Sequence, residues 1–337
     1  MNKNEEKYTK YALCREMLET VDIFKSYNPE AAFDFVKLID KSRPILFTGE
    51  GSSRIFPAKR AIYEANISGR PGRFFTEGST QAMEYDLSEC SVFGASNSGQ
   101  TNEVIQLFNK LKGENHKALF GLTAGKSTPL ESLSRKTEVL SCGGEEAVAA
   151  TKSVAEQALF YQTIMASLEN TPLEGLETAG EMIKEVLTAK IDPAIIEAIA
   201  GAETICFSGR NNGVAEELTL KTNEITRKKS SFLEGTYAVH GIEEVLTDKD
   251  VLIIVDPFQK EEEKFRKCLV EGVGMKVFSI SSKRTIFPSF NIPDGGLFRN
   301  YVELAAGWNL LVETGLALGI NLDKPARARK VGNEYEG

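Results

Sequence analysis

The apolar run Ile45-Leu46-Phe47-Thr48-Gly49 returns 160 positions later as Ile205-Cys206-Phe207-Ser208-Gly209. Two further runs are answered in the same order. Ser91-Val92-Phe93-Gly94-Ala95 is matched by Val251-Leu252-Ile253-Ile254-Val255, and Ala118-Leu119-Phe120-Gly121-Leu122-Thr123 by Lys276-Val277-Phe278-Ser279-Ile280-Ser281, at nearly the same offset. Three runs repeated in one order predict a duplicated chain whose halves fold on one plan. The runs are short, β-rich and apolar, and amphipathic segments of helix length separate them. That alternation predicts buried parallel strands joined by crossover helices. The expected fold class is α/β: two tandem doubly wound parallel sheets with helices on both faces.

With 337 residues, 42% of them hydrophobic, the chain can bury a full core and divide into two domains. Helical patterns such as Tyr11 to Leu18 predict a helical segment over 1–41 that wraps the first domain. The first α/β domain is expected over 42–170, the second over 171–320, and a polar tail over 321–337. A helix is predicted from 147 to 168, closed by Leu168-Glu169-Asn170-Thr171-Pro172, with another around 175–190 leading into the second half.

The balance of 48 acidic and 40 basic residues gives a formal charge of -8. No basic field is available for nucleic acid or an anionic membrane, so an anionic ligand needs local capture. Cys14, Cys90, Cys142, Cys206 and Cys268 lie far apart, with no C-x-x-C or Cys/His spacing suited to zinc. Reduced thiols are the simplest account. Met1 to Lys7 lacks an apolar signal region, and no apolar run approaches bilayer length. A cytoplasmic protein without nucleic-acid or membrane partners is expected.

Local capture has an obvious candidate. Ser96-Asn97-Ser98-Gly99-Gln100-Thr101 stands between the expected strand at 91–95 and a helical pattern from Asn102. Hydroxyls and a glycine at a helix N-terminus make an anion cradle, where backbone N–H groups and the helix dipole act on one charge. The same polar cluster also fits ordinary helix capping. Other segments decide between the two.

Gly49-Glu50-Gly51-Ser52-Ser53, Ser96 to Thr101, and Glu145-Glu146-Ala147-Val148-Ala149-Ala150-Thr151-Lys152 occur in the order of three family motifs. On these segments the chain resembles the sugar isomerase (SIS) domain family, in the tandem form of the isomerase half of glucosamine-fructose-6-phosphate aminotransferases. The resemblance runs from about residue 44 to the C-terminus. It implies flavodoxin-like domains, phosphate contacts from Ser52, Ser53, Ser96, Asn97, Ser98 and Thr101, and a sugar pocket lined by Gly51, Val148, Ala149 and Thr151. Gln100 and Ala150 depart from the family's Glu and Ser, the second removing a hydroxyl from the pocket.

In the second half, Leu220-Lys221-Thr222-Asn223-Glu224-Ile225 stands sixteen residues before His240. A proton shuttle between two sugar carbons needs a carboxylate that is base and then acid. Ring opening needs a group that exchanges a proton near neutral pH. The resemblance implies Glu224 for the first task and His240 for the second. It also places Lys330, in Asp323-Lys324-Pro325-Ala326-Arg327-Ala328-Arg329-Lys330-Val331, where a lysine engages the open-chain carbonyl as an imine, with Arg327 and Arg329 supplying nearby cations. The family's acidic residue three before the histidine is absent. Glu234 lies six before it, as in relatives that cleave fructosamine phosphates, and a surface role fits it equally.

The resemblance therefore implies an enzyme of carbohydrate metabolism that opens a 6-phosphorylated amino sugar, moves a proton between C1 and C2 and releases ammonia. A fructosamine 6-phosphate deglycase is the alternative, and a non-catalytic phosphosugar sensor a second one. The chain reaches the resembling sequence by residue 44 without the family's N-terminal glutaminase, so no glutamine hydrolysis is expected. No metal or organic cofactor is implied, because an imine activates the carbonyl in place of a Lewis acid. A homodimer is implied, with the histidine reaching the neighbouring subunit's phosphate site.

Overall fold

The computed structural model describes residues 1–70, 73–328, 334 and 335. Five strands form the first sheet: β1 (Ile45–Gly49), β2 (Phe74–Gly78), β3 (Ser91–Ala95), β4 (Leu119–Thr123) and β5 (Lys136–Val139). Five more form the second: β6 (Thr204–Gly209), β7 (Lys229–Glu234), β8 (Val251–Val255), β9 (Lys276–Ser281) and β10 (Ser289–Asn291). Their orders are β2-β1-β3-β4-β5 and β10-β9-β8-β6-β7, and every pairing is parallel. Renumbered from its own start, the second sheet also reads 2-1-3-4-5. The duplication expected from the repeated runs is therefore one of topology as well as of sequence.

In the first sheet, Ile45 and Phe47 face a core with Phe93, Phe120, Phe160 and Tyr161. Leu46 and Val92 face a second core with Val104, Leu107, Phe108 and Leu111 of the helix Asn102–Gly113. Residues two apart share a face in a strand and residues three or four apart share one on a helix, so both layers close on β1 and β3. The centre is aromatic: Phe93 stacks on Phe120 at 4.7 Å between ring centres, and Phe47 meets Tyr161 at 4.2 Å. The strands legible as apolar runs are β1, β3, β4, β6, β8 and β9. Those that were not, β2, β5, β7 and β10, are all sheet edges.

By contact the chain divides into two compact units. One gathers Met1–Val21, Glu146–Ala149 and Glu177–Arg329 around the second sheet; the other gathers Asp22–Glu145, Ala150–Leu176 and Lys330–Gly337 around the first. The expectation that 1–41 wraps the first domain is thus corrected for residues 1–21. Tyr8 donates to Glu313 at 2.6 Å, and Asp323 accepts from the N–H groups of Ala12 and Leu13 at 2.9 and 2.8 Å, which ties this stretch to the second sheet's unit. The helix expected from 147 instead begins at Lys152 and runs to Leu168. The Glu145 carboxylate accepts from the N–H of Thr151 at 2.7 Å and keeps the preceding residues out of the helix.

Candidate functional site

In a doubly wound sheet, ligands gather beyond the carboxyl ends of the strands where the chain reverses its direction of winding. In the first sheet that point lies between β1 and β3, whose ends are held close. A Cβ on Gly49 would stand 2.8 Å from the Ala95 carbonyl oxygen, so only glycine fits. Two predicted loops begin there. Gly51, Ser52 and Ser53 form a single 3-10 turn after β1, with Gly51 at φ 51°. Ser96 to Thr101 follows β3 and leads into the helix Asn102–Gly113.

The second loop is closed by its own hydroxyls. Ser96 Oγ and Thr101 Oγ1 are 2.7 Å apart, Ser96 Oγ accepts from the Thr101 N–H at 3.3 Å, and Ser98 Oγ accepts from the Gln100 N–H at 3.2 Å. Gly99 takes φ 68°, and a Cβ there would meet Thr128 at 2.5 Å. Thr101 occupies the N-cap position of the helix without a side-chain bond to it. The capping explanation for this cluster therefore fails at the residue that would carry it.

Asn97 donates to Glu145 at 3.1 Å, and Glu145 also accepts from Ser153 Oγ at 2.7 Å and, as above, from Thr151. This buried carboxylate links the hydroxyl loop to the start of the helix Lys152–Leu168. It belongs to a quoted motif but was not assigned a role from sequence. Ser53 Oγ accepts from Gln157 Nε2 at 3.5 Å. The structure thus brings Ser52, Ser53, Ser96, Asn97, Ser98, Thr101 and Thr151 into the first sheet's unit, while Val148 and Ala149 belong to the other. Lys330 lies outside the described residues. Beyond it, Glu334 forms a β-bridge with Thr101 and the Tyr335 N–H donates to the Gln100 carbonyl at 2.9 Å, so these two residues lie beside the loop.

In the second unit, Glu224 lies near the end of the helix Val214–Thr226. Lys221 Nζ stands 2.6 Å from Glu224 Oε2 and 3.3 Å from Glu217 Oε1, with Lys221 and Glu217 wholly buried and the Glu224 side chain 20% exposed. Burial alone would lower the Lys221 pKa. The charges of Glu224 and Glu217 outweigh it and hold the pKa above its ordinary value. The spacing Glu217, Lys221, Glu224 puts all three on one helix face. That signal was in the sequence, but only Glu224 was singled out. Glu234 ends β7 and is exposed; among the described residues its side chain makes no hydrogen bond or ion pair. His240 is exposed beyond it, its Nε2 3.0 Å from Lys264 Nζ.

The topology also separates two of the predicted residues. The helix Val214–Thr226 starts at the carboxyl end of β6 and ends where β7 begins, so Glu224 lies at the amino edge of the second sheet. His240 follows the carboxyl end of β7. A strand of this length spans roughly 20 Å, so the two side chains stand at opposite edges of one sheet.

The second sheet has its own reversal point, between β6 and β8, and its chemistry differs. Asp256 follows β8 as Ser96 follows β3. It takes φ 46° and pairs with Arg210 at 2.6 Å and Arg299 at 3.6 Å. Glu303 is buried beside them, and burial pushes its pKa up to about 7. A carboxylate and its guanidinium partners occupy the place that hydroxyls take in the first sheet.

Both sheets, their strand order and the position of the hydroxyl loop define the tandem sugar isomerase fold. No protein-family model and no curated protein matches the chain. Solved structures do. It is similar to the C-terminal domain of glucosamine-fructose-6-phosphate aminotransferase from Francisella tularensis, at 18% identity over 95% of this chain and 100% of that one, with TM-score 0.73. Glucosamine-6-phosphate deaminase from Thermotoga maritima superposes at 19% identity, 96% and 99% coverage and TM-score 0.74. Tagatose-6-phosphate ketose/aldose isomerase from Escherichia coli does so at 15% identity, 96% and 98% coverage and TM-score 0.75. At these identities the likeness is one of fold.

Proposed function

We propose that the protein is a cytoplasmic phosphosugar isomerase/deaminase acting on a 6-phosphorylated amino sugar. The observation that carries this reading is the hydroxyl loop Ser96–Thr101 at the reversal point of the first sheet, closed on itself and leading into a helix that Thr101 does not cap. Such a loop suits a phosphate. Ser52 and Ser53 complete the cradle, and Gly51 and Thr151 line the sugar.

On this reading His240 assists cleavage of the ring C–O bond. Glu224 removes the C2 proton of the open-chain amino aldose and returns a proton at C1. Water then hydrolyses the resulting imine to ammonia and a ketose 6-phosphate. Lys221 supports the shuttle by fixing the Glu224 carboxylate and balancing its charge. Lys330 engages the carbonyl or orders the tail. The separation of Glu224 and His240 across one sheet supports a homodimer in which each histidine serves the neighbouring subunit's site.

A deglycase reading is favoured by Glu234, an exposed carboxylate that makes no hydrogen bond or ion pair among the described residues and would be free to meet a substituent on the substrate nitrogen. The test is mass-spectrometric turnover of glucosamine 6-phosphate, galactosamine 6-phosphate and several fructosamine 6-phosphates, beside Glu224→Gln. Loss of ammonia from an amino sugar, abolished in the variant, is the expected result. Release of an amino acid instead selects the deglycase, and tight binding without turnover selects the sensor.

A further inference from the structure

Lys264 lies on the short helix Glu262–Phe265, and its Nζ is 3.0 Å from His240 Nε2. Both residues are anchored by their neighbours. Phe265, next to Lys264, and Val239, next to His240, are buried in one apolar cluster with Leu233, Leu252 and Leu269. The His240 N–H donates to the Tyr237 carbonyl at 3.1 Å, which fixes the turn carrying the ring. The acids nearest Lys264 in sequence are engaged elsewhere: Glu263 holds Arg266 at 2.8 Å, and Glu262, buried, accepts from the Ile286 N–H at 3.1 Å. Among the described residues Lys264 makes no ion pair, and His240 is its hydrogen-bond partner.

An ammonium has three donors and no acceptor, so this bond has one direction. Nε2 must offer a lone pair, which an imidazolium lacks. With Nε2 accepting from Lys264, the ring proton falls to Nδ1. We propose that Lys264 is the positioning residue of His240: it holds the imidazole in the Nδ1–H tautomer and presents that N–H to the ring oxygen of the phosphosugar. This rests on the role proposed above for His240. As the C1–O5 bond breaks, O5 takes the Nδ1 proton while Lys264 passes one to Nε2. The anomeric hydroxyl then gives its proton to Nδ1 by way of solvent as Nε2 returns the other to Lys264, so no proton is consumed overall and the Nδ1–H tautomer is restored.

With only two histidines in the chain, imidazole nitrogen NMR of the whole protein reads the tautomers directly. His116 serves as an internal reference of the opposite kind, since its Nε2 faces the Leu87 carbonyl at 2.9 Å and its Nδ1 accepts from the Ala118 N–H at 3.2 Å. One Nδ1–H and one Nε2–H imidazole are expected at pH 8, with His240→Asn assigning them. Lys264→Met should move the His240 signals toward a tautomer mixture, leave His116 unchanged and lower kcat by about a hundredfold with little change in KM. Lys264→Arg should restore the Nδ1–H signals and much of kcat. An Nε2–H tautomer at His240, a His240 spectrum unmoved by Lys264→Met, or an undiminished kcat in that variant would each overturn the proposal. If the tautomer responds as expected but the wild type turns over no phosphosugar, the function proposed for the site fails and the Lys264–His240 relationship stands.

Discussion

Lys221 and Glu224 stand one helical turn apart with 2.6 Å between ammonium and carboxylate, and Lys221 has no access to solvent. Replacing it by methionine keeps the volume but removes the ammonium 3.3 Å from the wholly buried Glu217. The expected loss is about 3–5 kcal/mol of stability, read from the denaturant midpoint. Because the folded pKa of Lys221 is raised, its contribution is full below pH 10.5, the ordinary lysine value, and fades as pH rises through the folded value. Lys221→Met should therefore lack a share of the alkaline destabilisation expected of the wild type.

Glu145 holds the hydroxyl loop and the start of the helix Lys152–Leu168 through Asn97, Thr151 and Ser153. Glu145→Gln keeps the shape but replaces one acceptor oxygen by a donor and removes the charge at the helix N-terminus. A loss of about 1–3 kcal/mol in thermal or chemical unfolding is expected. A rise in KM should accompany it, since Asn97 loses its anchor while Glu224 is untouched.

Glu224→Gln and His240→Asn should each be inactive alone. If each site draws its glutamate from one chain and its histidine from another, hybrid dimers of the two variants contain one intact site. After unfolding and refolding an equal mixture, about a quarter of wild-type activity should return. Activity that stays at zero would place both groups in one chain's site.

Glu303 carries a pKa of about 7 against an ordinary 4.5, so between those values the folded chain binds more protons than the unfolded one. Stability must then fall as pH rises through that interval. Glu303→Gln removes the titration. Between pH 4 and pH 8 the stability difference between the two proteins should shift by about 3 kcal/mol in favour of the variant, measured by denaturation at each pH.

The central strands were legible because each is buried on both faces and so reads as an unbroken apolar run. β5, Lys136-Thr137-Glu138-Val139, and β7, Lys229-Ser230-Ser231-Phe232-Leu233-Glu234, are edges with neighbours on one side only, and polar residues there erase the signal. Ser96 to Thr101 was visible as a local cluster between a strand and a helix. Glu145 was not, since its partners Asn97 and Ser153 lie 48 and 8 positions away and meet it only in the fold. Lys264 was invisible for the same reason: 24 residues and a whole strand separate it from His240. The assignment of 1–21 to the wrong half has a similar origin. Its helical pattern says that a face must be covered, and says nothing of which half covers it.

That last arrangement has a consequence for synthesis. Tyr8, Ala12 and Leu13 find their partners at Glu313 and Asp323, some three hundred residues downstream. At about 5–20 residues per second a ribosome needs on the order of fifteen seconds to a minute to deliver them. Throughout that interval the first sheet can close while Tyr8, Ala12 and Leu13, all buried in the finished fold, wait uncovered.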